Sequence, residues 1–160
     1  EKKHDILTAM ENKYSAGTDD LEEKMAIADE KAKSVRMELA AMRKIVIDSR
    51  TADIENERQQ DDHSSPLIVR RYNDMKPDDL LHIGKPFIGS IERLLVLADT
   101  NLNTVMLFSD GKRFDCGRLI KENAPIYNGK GGGRADNARA IFLNAEYLET
   151  FIDLLDKNLR

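Results

Sequence analysis

The chain has 160 residues, 34% charged and 41% hydrophobic, with no tryptophan and a formal net charge of −4. That length suits one modest globular domain plus an appendage, and no apolar run approaches the ~20 residues a membrane-spanning helix needs. No secretory apolar region follows Glu1, and a single cysteine, Cys116, excludes an internal disulfide and fits a reducing, cytoplasmic setting. Because the chain opens on Glu1 rather than Met, it is expected to be a fragment of a longer protein or a processed product.

Residues 4–15 read as a short helix that breaks at Ala16-Gly17. Thr18 is the expected N-cap of the next helix, with Asp19, Asp20, Glu22 and Glu23 at its positive end. A helical pattern without Gly or Pro then runs to about residue 60. Within it Leu21, Met25, Ala28, Ala32, Val35, Leu39, Met42 and Val46 recur at alternating spacings of four and three, a heptad seam. The seam predicts a self-associating coiled coil and therefore a homodimer. The alternative is one helix of an intramolecular bundle, for which residues 4–15 offer only about three turns of partner. Ala28 and Ala32 bury little, so the globular part is expected to contribute to the dimer too. Past Val46 the seam meets Ser49, Asp53, Asn56 and Gln60, and the pairing should fade. Residues 1–62 thus read as a helical dimerisation segment and residues 63–160 as a globular domain.

Asp61-Asp62-His63-Ser64-Ser65-Pro66 is a polar linker. Its Asp-Asp-His has the wrong order for the metal motif of DHH phosphoesterases, and His4, His63 and His82 are scattered without zinc spacing, so no metal site is expected.

Leu67–Tyr72 reads as a strand, and Lys76-Pro77-Asp78-Asp79 starts a helix that Gly84 and Pro86 interrupt. Leu94–Asp99 and Thr104–Ser109 read as two strands of a hairpin turned by Asn101 and Asn103. Asp115–Asn123 reads as a helix with Leu119 and Ile120 inward, and Cys116 within it as a small buried hydrophobe rather than a nucleophile. A strand near Ala138–Leu143 and a C-terminal helix with Tyr147, Leu148, Phe151, Ile152 and Leu155 on one face complete a small α/β domain with a mixed sheet.

Asn128-Gly129-Lys130-Gly131-Gly132-Gly133-Arg134 is what folding alone would not ask for. Glycine costs roughly 0.5–1 kcal/mol relative to alanine in regular structure. A loop of exposed amides forms an anion-binding concavity to which Lys130 and Arg134 add charge; the alternative is a flexible surface loop. Gly131 follows Lys130 where an NTPase phosphate loop needs Ser or Thr, and Arg134 stands where the dinucleotide fingerprint needs glycine. A nucleic-acid backbone is the remaining candidate. Residues 112–139 hold seven cations, Arg118, Lys121, Lys130, Arg134 and Arg139 among them, against three carboxylates, whereas residues 1–62 carry 11 cations against 16 carboxylates. The local basic face is what phosphate binding requires.

Phe114-Asp115-Cys116-Gly117-Arg118-Leu119-Ile120-Lys121-Glu122, followed by Gly129-Lys130-Gly131-Gly132-Gly133-Arg134-Ala135-Asp136, resembles the C-terminal domain of alanyl-tRNA synthetases. The same module, the DHH-associated domain, ends the long form of the alanyl-tRNA trans-editing proteins. The resemblance implies a non-catalytic module that contacts the outer corner of tRNA and dimerises through its helices. It carries the binding role to Gly129–Arg134, with Asp136 and Ala138 next in line. The chain departs from the family at Ala135, often Pro, and at Arg139-Ala140-Ile141, where Gln-Gly-Gly is usual; Arg139 supplies a charge there instead. The resemblance implies that zinc would belong to an editing domain upstream of Glu1, so no cofactor is expected in this segment. With Tyr127 the one aromatic near the glycines, recognition of shape and phosphates is expected rather than base reading. Two alternatives remain: the phosphate-binding half of a DHH phosphodiesterase, and a purely structural oligomerisation domain.

Overall fold

The computed structural model describes residues 1–15, 17, 20–60 and 65–160. The expected cap at Thr18, Asp19 beside it and the first four linker residues, 61–64, lie outside them. The chain forms two compact units, Glu1–Val46 and Ile47–Arg160. No helix among the described residues is long and apolar enough to cross a membrane.

The first unit contains α1 (Lys2–Tyr14) and most of α2 (Leu21–Gln59), which is one continuous helix. Ser15 ends α1 in the left-handed region, φ 52°, and its carbonyl accepts the Lys24 ammonium at 3.0 Å. Along the heptad seam Leu21 is buried and Met25 and Ala28 half-buried, but Ala32, Val35, Leu39, Met42 and Val46 are exposed in the single chain.

In the second unit the end of α2 uses a different face. Ile54 is fully buried, Ile47 packs against the same core, and the Thr51 hydroxyl donates to the Ile47 carbonyl at 2.9 Å. Polar contacts pin this segment. Arg50 donates to both oxygens of Asp74 (2.9 and 3.0 Å) with its guanidinium over the Tyr72 ring, and Glu57 pairs with Arg70. Asp74 and the desolvated surroundings act oppositely on Arg50, and the carboxylate wins, raising its pKa.

The sheet among the described residues has five strands in the order β1 (Leu67–Tyr72), β2 (Leu94–Asp99), β3 (Thr104–Phe108), β5 (Asn137–Ile141), β4 (Lys130–Gly133). β1 and β2 are parallel; the other neighbours are antiparallel, so the sheet is mixed. Every residue of β2 and β3 is buried, as continuous apolar runs in central strands demand. Alternate side chains go to opposite faces. Val96, Ala98, Val105, Leu107, Ala138 and Ala140 pack under α4 (Cys116–Asn123) and α5 (Ala145–Leu159). Ile68, Leu95, Leu97 and Phe108 pack with Ile54 and with α3 (Pro77–Gly84). The result is a three-layer domain with the sheet in the middle.

Buried Asp99 ties two turns together. Its carboxylate accepts N–H bonds from Met75 (2.8 Å), Asn101 (3.0 Å) and Leu102 (2.9 Å), joining the segment after β1 to the β2–β3 turn. Asp115 caps α4 by accepting from Arg118 N–H at 2.9 Å, and Asn144 caps α5 through Tyr147 N–H at 2.9 Å.

The glycine segment departs from expectation. It is a strand at the sheet edge, not a loop, and the strand after it starts at Asn137. Glycine disfavours strands on intrinsic grounds, but the ladder here is built for it. A Cβ on Gly131 would stand 2.0 Å from the Arg139 carbonyl oxygen, and one on Gly133 2.4 Å from the Ala138 Cα. The two backbones approach too closely for side chains at either position.

Candidate nucleic-acid interface

β4 pairs with β5 on one side only, and all four of its residues are exposed. Arg134 N–H donates to the Asn137 carbonyl at 2.7 Å, which fixes the phase of the ladder. Bonded pairs alternate with non-bonded ones in an antiparallel ladder. The register therefore assigns the bonded pairs to Gly132 with Arg139 and Lys130 with Ile141. The amides and carbonyls of Gly131 and Gly133 then face away from β5, toward α4. Gly129 differs from its neighbours in being buried: its N–H donates to the Ala124 carbonyl at 2.8 Å, and a Cβ would meet the Phe142 ring at 2.4 Å.

Of the three consecutive glycines, Gly132 has no packing reason to be glycine. Nothing lies within 4 Å of where its Cβ would be. Its open flank leaves room for another backbone to approach closely.

The predicted cations line separate hollows. Lys121 on α4 and Lys130 on β4 line one hollow with Ile120, Pro125 and Leu143, and Arg118 and Lys121 line a second beside Gly131, Gly132 and Gly133. Arg139 lines a further hollow with Gly132, Met106 and Phe108, and by the register Lys130 and Gly132 share its face of the sheet. Arg134 is exposed just past the end of β4. Among the described residues Lys121, Lys130, Arg134 and Arg139 have no carboxylate partner. Arg118 does: its Nε donates to Glu122 at 2.7 Å, which raises the guanidinium pKa and competes with any phosphate. Asp136 accepts from the Asn137 side-chain amide at 2.9 Å.

Helix α4 itself offers no anion site. Cys116 N–H donates to the Ala135 carbonyl and Gly117 N–H to the Arg134 carbonyl, both at 2.8 Å, and Asp115 takes Arg118 N–H. The first-turn amides are thus used inside the fold. Cys116 is buried, its Sγ donating to Ser109 Oγ at 3.3 Å, and burial pushes its thiol up to about 11, so it is no nucleophile. Gly117, which lines the second hollow beside Arg118 and Lys121, was not among the expected site residues. A glycine in the first turn of a short helix was the available signal. Among the described residues no three His, Cys, Asp or Glu side chains cluster as metal ligands.

The geometry defines a class: a small mixed-sheet domain with a glycine edge strand beside a basic helix. Solved structures with this fold include the C-Ala domain of Aquifex aeolicus alanyl-tRNA synthetase, at a TM-score of 0.50 and 17% identity, covering 58% of this chain and 89% of that domain. RecJ of Thermus thermophilus in complex with Mn2+ matches at a TM-score of 0.55 and 16% identity, covering 89% of this chain and 20% of RecJ. No protein-family model matches the chain. In sequence, an alanine–tRNA ligase of Corynebacterium glutamicum (strain R) is 25% identical over 158 residues, covering 93% of this chain. The chain spans only 18% of the length of that ligase. Sequence and fold likeness thus coincide on the C-terminal domain of alanyl-tRNA synthetases, the resemblance already carried by residues 114–138, while the fold is shared with RecJ as well.

Proposed function

We propose that this chain is a non-catalytic tRNA-binding and dimerisation module, the C-terminal part of an alanyl-tRNA ligase or of an alanyl-tRNA editing protein. Its partner is the outer corner of tRNA, in the first place the tRNA for alanine. Lys121, Lys130 and Arg134 contact phosphates, Arg139 adds charge from the neighbouring strand, and the amides of Gly131 and Gly133 donate to phosphate oxygens. The observation that carries this reading is Gly132, a glycine with open space beside it among cations lacking carboxylate partners. Catalysis, and any zinc, belong to the remainder of the longer protein.

Replacing Lys130 and Arg134 together by Ala tests it. Removing one phosphate-bound cation reduces the slope of log K against log salt by about one unit, so the double variant is expected to bind tRNA more weakly with a slope shallower by about two. Unchanged affinity and slope would remove both residues from the interface.

The second reading, the phosphate-binding half of a DHH-type phosphodiesterase, is favoured by the RecJ likeness, which covers more of this chain than the C-Ala likeness does. Hydrolysis of a cyclic dinucleotide by the complete protein would select it.

A further inference from the structure

We propose that the exposed seam of α2 receives a second copy of this chain in antiparallel orientation, about a two-fold axis passing between Lys33 and Ser34. The inference rests on the dimerisation reading above and specifies its geometry. Val35, Leu39 and Met42 are 56%, 57% and 64% exposed on a helix with charged residues on either side of the seam. A stripe of this kind is stable in water only when covered.

Two independent features of the sequence choose the orientation. The first is volume. With the axis at 33/34, Ala28 meets Leu39 of the second copy, Ala32 meets Val35, and Met25 meets Met42. Every alanine faces a large side chain, as close packing requires. In-register parallel pairing would set Ala28 on Ala28 and Ala32 on Ala32, two successive hollow layers, and Leu39 on Leu39. Leu21 is buried and Met25 and Ala28 half-buried in the single copy, so their layers contribute less than the two central ones, in which Ala32 of each copy meets Val35 of the other.

The second is charge on the residues flanking the seam, which set partner orientation in coiled coils. The antiparallel register apposes Glu22 with Arg43 of the second copy and Asp29 with its Arg36, each contact occurring twice by symmetry. On the other flank it apposes Lys31 with Glu38. All are attractive. The parallel register would pair Lys24 with Asp29 and Glu38 with Arg43 but bring Lys31 against Arg36 of the second copy, so one of its three flank pairings is repulsive where none is in the antiparallel register. Volume and charge therefore agree. In this pairing the chain leaves the coiled coil at opposite ends, the two Val46 residues standing about 38 Å apart along the axis, where parallel pairing would hold them about 10 Å apart.

Disulfide trapping in the full chain, with Cys116→Ala to remove the native thiol, tests the pairing. Ala32→Cys and Val35→Cys chains are expected to cross-link when mixed and not when either is oxidised alone. Self-cross-linking of either single variant would establish the parallel register and overturn the proposal. Failure of the mixture to cross-link, while the unmodified chain sediments as a dimer, would overturn this pairing and leave dimerisation intact. A monomeric unmodified chain at tens of micromolar would overturn both. A charge exchange avoids cysteines. Arg36→Glu with Arg43→Glu is expected to weaken the homodimer about tenfold or more, and so is Glu22→Arg with Asp29→Arg. Mixing the two variants restores association, because every contact between Glu22, Asp29, Arg36 and Arg43 positions is then attractive; no restoration would count against the proposed register.

Discussion

Gly117 in the first turn of α4 lies against the carbonyl of Gly133 on β4, so that a Cβ on Gly117 would stand 2.7 Å from that oxygen. The bond from Gly117 N–H to the Arg134 carbonyl holds the same junction at 2.8 Å. The glycine at 117 thus lets a helix sit directly on an edge strand, and Lys121 of α4 and Lys130 of β4 line the same hollow. Gly117→Ala forces one of the two backbones to move, at a cost of about 1–3 kcal/mol. Urea denaturation should show a lowered midpoint with an unchanged m-value, and tRNA affinity should fall with it. A variant as stable as the parent would mean that α4 and β4 slide apart freely.

Neighbouring glycines on β4 separate folding from binding. A Cβ on Gly131 collides with β5 backbone, whereas one on Gly132 meets nothing. Gly131→Ala is therefore expected to destabilise the domain by several kcal/mol or to open the β4–β5 ladder. Gly132→Ala should leave thermal stability within about 0.5 kcal/mol of the parent, as surface substitutions do, while weakening tRNA binding through loss of close backbone approach. Filter binding and calorimetry on the same two proteins check this. Full tRNA affinity in Gly132→Ala would show that this stretch of backbone is not approached.

The contrast explains what could be read from the sequence. Strands β1, β2 and β3 carry apolar runs bounded by turn residues, and α2 and α5 carry helical periodicity; each of these lies where those patterns put it. The strand β4 carries no pattern, because glycine has no side chain with which to alternate. Its pairing depends on the small Ala138 and Ala140 across the ladder, a relationship visible only once β5 is in place. Of the candidate site, the identity of the cations was legible and their distribution among the hollows around the edge strand was not. The packing of the end of α2 was hidden for a different reason. Ile47, Thr51 and Ile54 recur at spacings of four and three, but on another face from the heptad seam, and the stronger pattern masks them.

That second face yields a prediction of its own. Ile54 is fully buried among Ile68, Leu80 and Phe108. Ile54→Ala should cost about 2–5 kcal/mol, a loss that thermal unfolding of the second unit would register as a clear drop in Tm. A much smaller effect would indicate that residues 47–59 do not belong to the folding unit of the sheet.

Cys116 makes the stability of the domain fall at alkaline pH. Burial raises its thiol from an ordinary 9.0 to about 11 in the folded chain. Between those values the unfolded chain releases the proton and the folded chain keeps it, so the unfolded state binds fewer protons and stability declines as pH rises. Below about pH 9 the contribution is complete; by about pH 11 it has been lost, a change on the order of 2–3 kcal/mol. Denaturant titrations at pH 8, 9.5 and 11 should show this decline, and Cys116→Ala should lack it, any remaining slope coming from other groups. The same burial keeps the native thiol unreactive toward a disulfide reagent at pH 8 until the protein is unfolded. Rapid labelling of the native chain at that pH would show that Cys116 reaches solvent without unfolding, and that the packing of α4 against β3 is looser than its hydrogen bonds to the Ala135 and Arg134 carbonyls imply.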